Sequence, residues 1–259
     1  MSEVRIECAN VRKSYGRKVA VRDVSFVVEP GDRVGIVGES GSGKSTMAKI
    51  VVGLEKPTAG SVTINGRDLG SLMSTRAGVL EYRRAVQLVA QDTTSTFDPR
   101  HTIREALRVP AQLLGGHDVA GADQAIAEIT QELGITPALL ERYPRELSGG
   151  QRQRMSIARA LVVRPGLLVC DEAVSALDVS VQGVVLNLLK RYSVGHGAGL
   201  LFVSHGLPAT AFLTRKLVVM NQGEVVENGP TLSVLETPQH PYTQTLVAAY
   251  QAIEGETAA

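Results

Sequence analysis

One stretch, Gly38-Glu39-Ser40-Gly41-Ser42-Gly43-Lys44-Ser45-Thr46, constrains this chain more than any other. It follows a short apolar run, Arg33–Val37, and leads into a segment whose Met47, Ile50, Val51 and Leu54 share one helical face. That is the strand–loop–helix setting required of the pattern G-x-x-x-x-G-K-[ST]. The spacing has a chemical reason. Glycines let backbone N–H groups wrap an anion without Cβ clashes, and a helix start adds the positive end of its dipole. Lys44 can then reach the β- and γ-phosphates of a nucleotide, and the Ser45 hydroxyl can ligate Mg²⁺. The bland alternative, a flexible Gly/Ser loop, does not account for the flanking strand and helix.

A phosphate cradle needs a carboxylate for the metal. Leu167–Cys170 reads as a buried apolar strand ending in Asp171-Glu172. Ligands of open α/β sheets bind beyond the carboxyl ends of the strands, so both acids should face the nucleotide. Asp171 is expected to hold Mg²⁺ and Glu172 to act as general base on the attacking water. A third element, Leu147-Ser148-Gly149-Gly150-Gln151, opens a helix about twenty residues before Asp171. A second anion-binding helix start is superfluous if one protomer serves one nucleotide. It makes sense if it serves the nucleotide of a partner.

Around these motifs the chain alternates strands and helices, which implies a largely parallel sheet covered on both faces. Strands are expected at Val4–Val11, Val19–Val28, Arg33–Val37, Ser61–Ile64, Val86–Val89, Leu167–Cys170 and Leu200–Ser204, with a hairpin around Gln222-Gly223. Helices are expected at Thr102–Leu114 with a break at Pro110, at Gly121–Leu133, Gly150–Val163 and Val179–Tyr192, and in the C-terminal piece. We divide the chain into an α/β core (1–91 and 160–229), a helical subdomain (about 92–159) and a C-terminal helical extension (230–259). The 27 basic and 26 acidic side chains argue against nucleic acid as the partner, as does the absence of tryptophan for base stacking. Two cysteines cannot build a disulfide framework, and no apolar run approaches the ~18 residues of a membrane span. Charges in MSEVRIECAN stand where a signal peptide would be apolar. His101, His117, His196 and His240 show no metal-ligand spacing and read as surface histidines, and Arg152 and Arg154 read as a solvated helix face, with contact of one of them to phosphate as the alternative.

In these residues together the sequence resembles the ATP-binding cassette (ABC) ATPases. LSGGQ is similar to their signature, GESGSGKST to their Walker A loop and LLVCDE to their Walker B strand. The likeness spans Val4 to Gly229. It implies that Tyr15 stacks on adenine, Gln91 senses Mg²⁺, His205 contacts the γ-phosphate, and Ser175 and Asp178 belong to a D-loop at a dimer interface. Phe97-Asp98-Pro99-Arg100, the run SALDVSVQGVVLNLL and above all Thr237-Pro-Gln-His-Pro-Tyr-Thr243 resemble the oligopeptide/dipeptide/nickel importer ATPases. Ala173, Gly206, Ala90 and Gln244 depart from the usual family residues, but none removes a group that touches phosphate, metal or water. The chain also ends at Ala259 without the longer tail of some relatives.

The resemblance implies a P-loop NTPase of the ABC ATPase type: an α/β fold with a mostly parallel central sheet, an N-terminal antiparallel β region and an inserted helical subdomain. It implies ATP and Mg²⁺ as cofactors. Two cassettes would close head to tail on ATP, as a homodimer or, more in keeping with the family, a heterodimer. Two separate permease subunits and an extracytoplasmic solute-binding protein would complete an importer for peptides, nickel chelates or opines. The chain would then sit on the cytoplasmic face of the membrane. An exporter's ATPase subunit, or an ABC ATPase acting on DNA or ribosomes, are the competing readings.

Overall fold

Period-two alternation in the central strands decides the layering. In the strand Leu167–Asp171, Leu167 and Val169 join one apolar cluster while Leu168 and Cys170 join another. In Gly199–Ser204, Leu201 and Val203 divide from Leu200 and Phe202 in the same way. Side chains of successive residues point to opposite faces, so both faces of the sheet must be covered by helices.

The computed structural model describes residues 3–92, 96–175, 177 and 179–257, with backbone alone at 179, 180 and 252–257. In chain order the strands are β1 (Ile6–Tyr15), β2 (Lys18–Val28), β3 (Arg33–Val37), β4 (Ala59–Ile64), β5 (Arg67–Asp68), β6 (Val86–Val89), β7 (Leu167–Asp171), β8 (Gly199–Ser204), β9 (Lys216–Asn221) and β10 (Glu224–Pro230). They run in the order β5-β4-β1-β2-β10-β9-β3-β8-β7-β6. β9, β3, β8, β7 and β6 are mutually parallel neighbours, whereas β1, β2, β4 and β5 pair antiparallel. A single parallel pair, Glu224 with Asp23, joins the two regions.

The helices are α1 (Lys44–Val51), α2 (Leu69–Leu72), α3 (Arg76–Ala85), α4 (Ile103–Leu113), α5 (Val119–Glu132), α6 (Gly149–Leu161), α7 (Val179–His196), α8 (Leu207–Leu213), α9 (Thr231–Glu236) and α10 (Pro241–Thr257). α1 packs on one face of the sheet with Met47, Ile50 and Val51 fully buried. Residues of α4 to α7 cover the other face in one continuous cluster with Leu168, Cys170 and Phe202.

Four expectations need correction. The helix α4 continues through Pro110, which was expected to break it. Its buried stripe, Ile103, Leu107 and Ala111, packs on α5 and α6, and a Thr102–Glu105 capping box fixes its start. Those gains outweigh the ~3 kcal/mol that an interior proline costs. Three helices, α2, α3 and α8, are absent from the sequence reading. α3 buries little beyond Tyr82, so its sequence shows no apolar stripe; its signal was the cap, Thr75 accepting the Gly78 N–H at 3.0 Å. Arg152 is half-buried rather than fully solvated, and its Nη1 donates to the Leu147 carbonyl at 2.6 Å. His240 is not a bystander on the surface, since its Nδ1 accepts the Tyr242 N–H at 3.1 Å.

Candidate functional site

β3 delivers the chain to Gly38 at the carboxyl end of the sheet, and α1 begins six residues later. Between them the backbone takes positive φ at Gly38, Gly41 and Gly43 (151°, 83° and 100°), a region L side chains rarely occupy. A Cβ at Gly38 would lie 2.0 Å from the Met220 carbonyl oxygen, and one at Gly43 would lie 2.4 Å from that of Ala20. The loop is thus pressed against β2 and β9 from behind. No side chain caps the start of α1 and no acid occupies its first turn, so its backbone N–H groups remain directed at an incoming anion.

Lys44 is almost fully buried, and its Nζ donates to the carbonyls of Gly38 (2.8 Å) and Glu39 (2.7 Å) and to Ser42 Oγ (3.4 Å). Burial lowers its ammonium below the ordinary value, against the opposing pull of Glu172, Asp171 and Glu39. At the end of β7, Asp171 Oδ1 accepts the Ser45 hydroxyl at 2.9 Å. Burial raises this carboxyl above its ordinary value, offset in part by that hydrogen bond. Each dehydrated group would be relieved by the opposite charge: Lys44 by phosphate oxygens, Asp171 by a divalent cation. Serine hydroxyl, carboxylate and amide oxygen are hard donors suited to Mg²⁺ that keeps substrate phosphate and water as its other ligands. Among the described residues no group of three or more His, Cys, Asp or Glu forms a metal cage.

Glu172 adopts φ = 50°, an uncommon backbone state for a non-glycine residue, stabilised by its N–H donating to the Val203 carbonyl at 2.8 Å. Its carboxylate meets two groups from distant segments. Gln91 Nε2 donates to Oε2 at 2.8 Å, and His205 Nδ1 lies 3.5 Å from Oε1. Ser175 returns to the same residue, its Oγ donating to the Glu172 carbonyl at 3.0 Å. Gln91, Asp171, Glu172, Ser175, His205, Lys44 and Ser45 therefore form one connected neighbourhood at the carboxyl ends of β3, β6, β7 and β8. Asp178 lies outside the described residues.

Three other groups stand differently. Tyr15 ends β1 half-exposed, with Lys13 Nζ 4.9 Å from its ring centroid. Ser148 and Gln151 bond each other at the start of α6: the Gln151 N–H donates to Ser148 Oγ at 3.2 Å and the Ser148 N–H to Gln151 Oε1 at 2.9 Å. This is a capping box, legible in S-G-G-Q but missed in the sequence. Gly149 is open to space, whereas a Cβ on Gly150 would touch Val181 at 3.0 Å. Among the described residues no hydrogen bond joins Ser148–Gln151 to the phosphate loop. One neighbour went unforeseen: Tyr242 Oη accepts the Glu39 N–H at 2.8 Å.

Known proteins resemble this chain over most of its length. The chain is 40% identical over 230 residues to a probable peptide ABC transporter ATP-binding protein, y4tS, of Sinorhizobium fredii, covering 89% of this chain and 65% of that one. It is 41% identical over 238 residues to the glutathione import ATP-binding protein GsiA of Escherichia coli, covering 91% of this chain and 37% of that one. It thus spans just under two thirds of the former's length and little over a third of the latter's. Among solved structures, the dimeric bacterial ABC transporter cassette MJ0796 superposes with a TM-score of 0.79 at 28% identity, covering 87% of this chain and 98% of that one. A dimeric post-hydrolysis state of the same cassette, bound to ADP and Pi, matches equally well. The family model described as ABC transporter matches residues 21–175, more than half of the chain and including the phosphate loop, LSGGQ and Asp171-Glu172. This chain belongs to the ABC transporter family.

Proposed function

We propose that the chain is the ATP-binding and ATP-hydrolysing subunit of a membrane importer for peptide-like solutes. The observation that carries this reading is the placement of Glu172, held between Gln91 and His205 and next in sequence to the Asp171–Ser45 pair. The names of the curated relatives support the cargo class. Short peptides or glutathione fit those names; a nickel chelate or an opine would be chosen by the permease and solute-binding protein, which leave no mark on this chain.

In this reading residues 38–46 hold the β- and γ-phosphates through the Lys44 ammonium and their backbone N–H groups, save that of Glu39, which donates to Tyr242. Tyr15 lies against the adenine. Mg²⁺ would be held by Ser45, Asp171 and Gln91, and when bound it neutralises charge on the phosphate oxygens. Glu172 accepts a proton from the water that attacks the γ-phosphate. Gln91 fixes the orientation of the Glu172 carboxylate, and His205, beside its other oxygen, faces the departing phosphate. Phosphoryl transfer asks little covalent chemistry of a protein, so this positioning and charge placement is most of the catalysis.

The N–H groups at the start of α6 have no nucleotide in their own chain to serve. They complete the site of a second cassette, head to tail, with Ser175 and Asp178 at the interface. A different ATPase chain is the favoured partner. Two permease chains receive the motion through the helical subdomain on the cytoplasmic face of the membrane, and a solute-binding protein delivers cargo from the other side. Among the described residues no helix is long and apolar enough to cross a membrane.

A pull-down from detergent-solubilised host membranes tests the assignment, with tagged Glu172→Gln protein trapped in ATP and Mg²⁺. Recovery of two multi-span proteins and a second cassette is expected. Recovery of ribosomal or DNA-bound partners alone would overturn the transport reading.

A further inference from the structure

The segment Thr237–Thr243, distinctive in the sequence, lands on the back of the phosphate loop. Tyr242 Oη accepts the Glu39 N–H at 2.8 Å across 203 positions of sequence. The carbonyl of the same peptide unit, Gly38 O, accepts Lys44 Nζ at 2.8 Å. The 38–39 peptide is therefore gripped on both edges, by the C-terminal segment through its N–H and by Lys44 through its C=O.

Other contacts fix where the phenol stands. The Glu227 carboxylate on β10 accepts the N–H groups of Gln239 (2.9 Å) and His240 (3.0 Å). His240 Nδ1 in turn accepts the Tyr242 N–H at the start of α10. Val247 of α10 packs with Val37, the last residue before the loop, and with Leu207, two residues past His205. Tyr242 and Leu246 add partly buried faces to that cluster. Burial pushes the phenol above its ordinary value, so it remains a neutral acceptor at physiological pH.

We propose that Tyr242 is a positioning residue of the nucleotide site, through which the C-terminal extension holds the phosphate loop in its binding shape. The proposal rests on reading residues 38–46 as the cradle for ATP. To meet a phosphate, Lys44 must loosen its hold on the Gly38 and Glu39 carbonyls. At that moment the phenol still holds the N–H edge of the 38–39 peptide. Without it the loop can relax, and part of the binding free energy is spent on re-forming the cradle. Tyr242 therefore sets nucleotide affinity from outside the site. Any partner that pulls α10 away would lower that affinity.

Full-length wild type, Tyr242→Phe and Glu227→Gln test this with a fluorescent ATP analogue and Mg²⁺, followed by KM and kcat for ATP and thermal melting. The phenylalanine keeps the apolar packing and deletes only the acceptor. Its Kd and KM should rise about three- to tenfold, the effect of one net hydrogen bond, with kcat at saturation within about twofold. Glu227→Gln frees the anchor of the same turn and should shift Kd in the same direction by a smaller factor. A lowered melting midpoint with unchanged Kd and KM in both variants would mean the contact is merely structural and would overturn the proposal. Failure of the wild type itself to bind the analogue would instead refute the underlying ATP reading.

Discussion

Alanine at position 43 should be markedly worse for folding than alanine at position 41, two residues away in the same loop. Both glycines have positive φ, 100° and 83°. A Cβ forces either into the left-handed region, at about 1–2 kcal/mol. At Gly41 that is the whole cost, because no atom lies within 4 Å of the added carbon. At Gly43 the carbon would stand 2.4 Å from the Ala20 carbonyl oxygen and 3.3 Å from Met220 Cε. The first of these is backbone in β2 and cannot swing aside. Overpacking of that kind adds about 1–3 kcal/mol, for a total of about 2–5 kcal/mol. For a chain of this size 1 kcal/mol moves the melting midpoint about 2–4 °C, so Gly43→Ala should melt about 4–20 °C below wild type and Gly41→Ala about 2–8 °C below. Calorimetry of both, with Gly16→Ala as a positive-φ control whose added carbon meets nothing, measures the difference. Equal midpoints for the two loop variants would refute the claim that β2 presses the loop from behind.

Two further outcomes follow from the same geometry. Lys44→Ala removes the buried charge facing the phosphates and should raise the Kd for ATP at least about tenfold, since charge-assisted contacts of this kind are worth 1.5–3 kcal/mol; equilibrium binding reads it directly. The Glu227 carboxyl lies below its ordinary value: burial raises it, but the N–H groups of Gln239 and His240, the Thr243 hydroxyl and the charge of His240 together outweigh burial. A depressed carboxyl contributes stability that is present above its unfolded value and lost as pH falls through the folded one. The stability gap between wild type and Glu227→Gln should therefore be full near neutrality and close in acid, as urea titrations across pH would show.

Much of the site could be read along the chain because its chemistry is local in sequence. The phosphate loop, LSGGQ and Asp171-Glu172 each sit at a junction where an apolar run meets a glycine or an acid, and the folded sheet brings β3 and β7 to the same edge. The capping box in S-G-G-Q is equally local, but the same residues also suit an anion site, and the pattern alone does not separate the two. What stayed hidden depends on long-range geometry. The left-handed backbone of Glu172 is set by the Val203 carbonyl, and its side chain by Gln91 and His205 on two other segments. The grip of Tyr242 on Glu39 spans most of the chain, and no periodicity records it. Helix α3 lacks an apolar stripe, and α8 is only two turns long; both escape pattern reading for that reason. Pro110 misled in the opposite way, because a local helix breaker was overruled by the packing of Ile103, Leu107 and Ala111.

The central claim is that Glu172 is the proton acceptor of an ATP-hydrolysing site. Glu172→Gln is its most direct test, because the amide keeps the shape and can still accept the hydrogen bond from Gln91 while losing the ability to take a proton at neutral pH. Nucleotide binding and steady-state phosphate release are measured on the same purified preparation. ATP binding within about threefold of wild type and turnover at least about a hundredfold lower are expected. Phosphate release at the wild-type rate would contradict that role for Glu172.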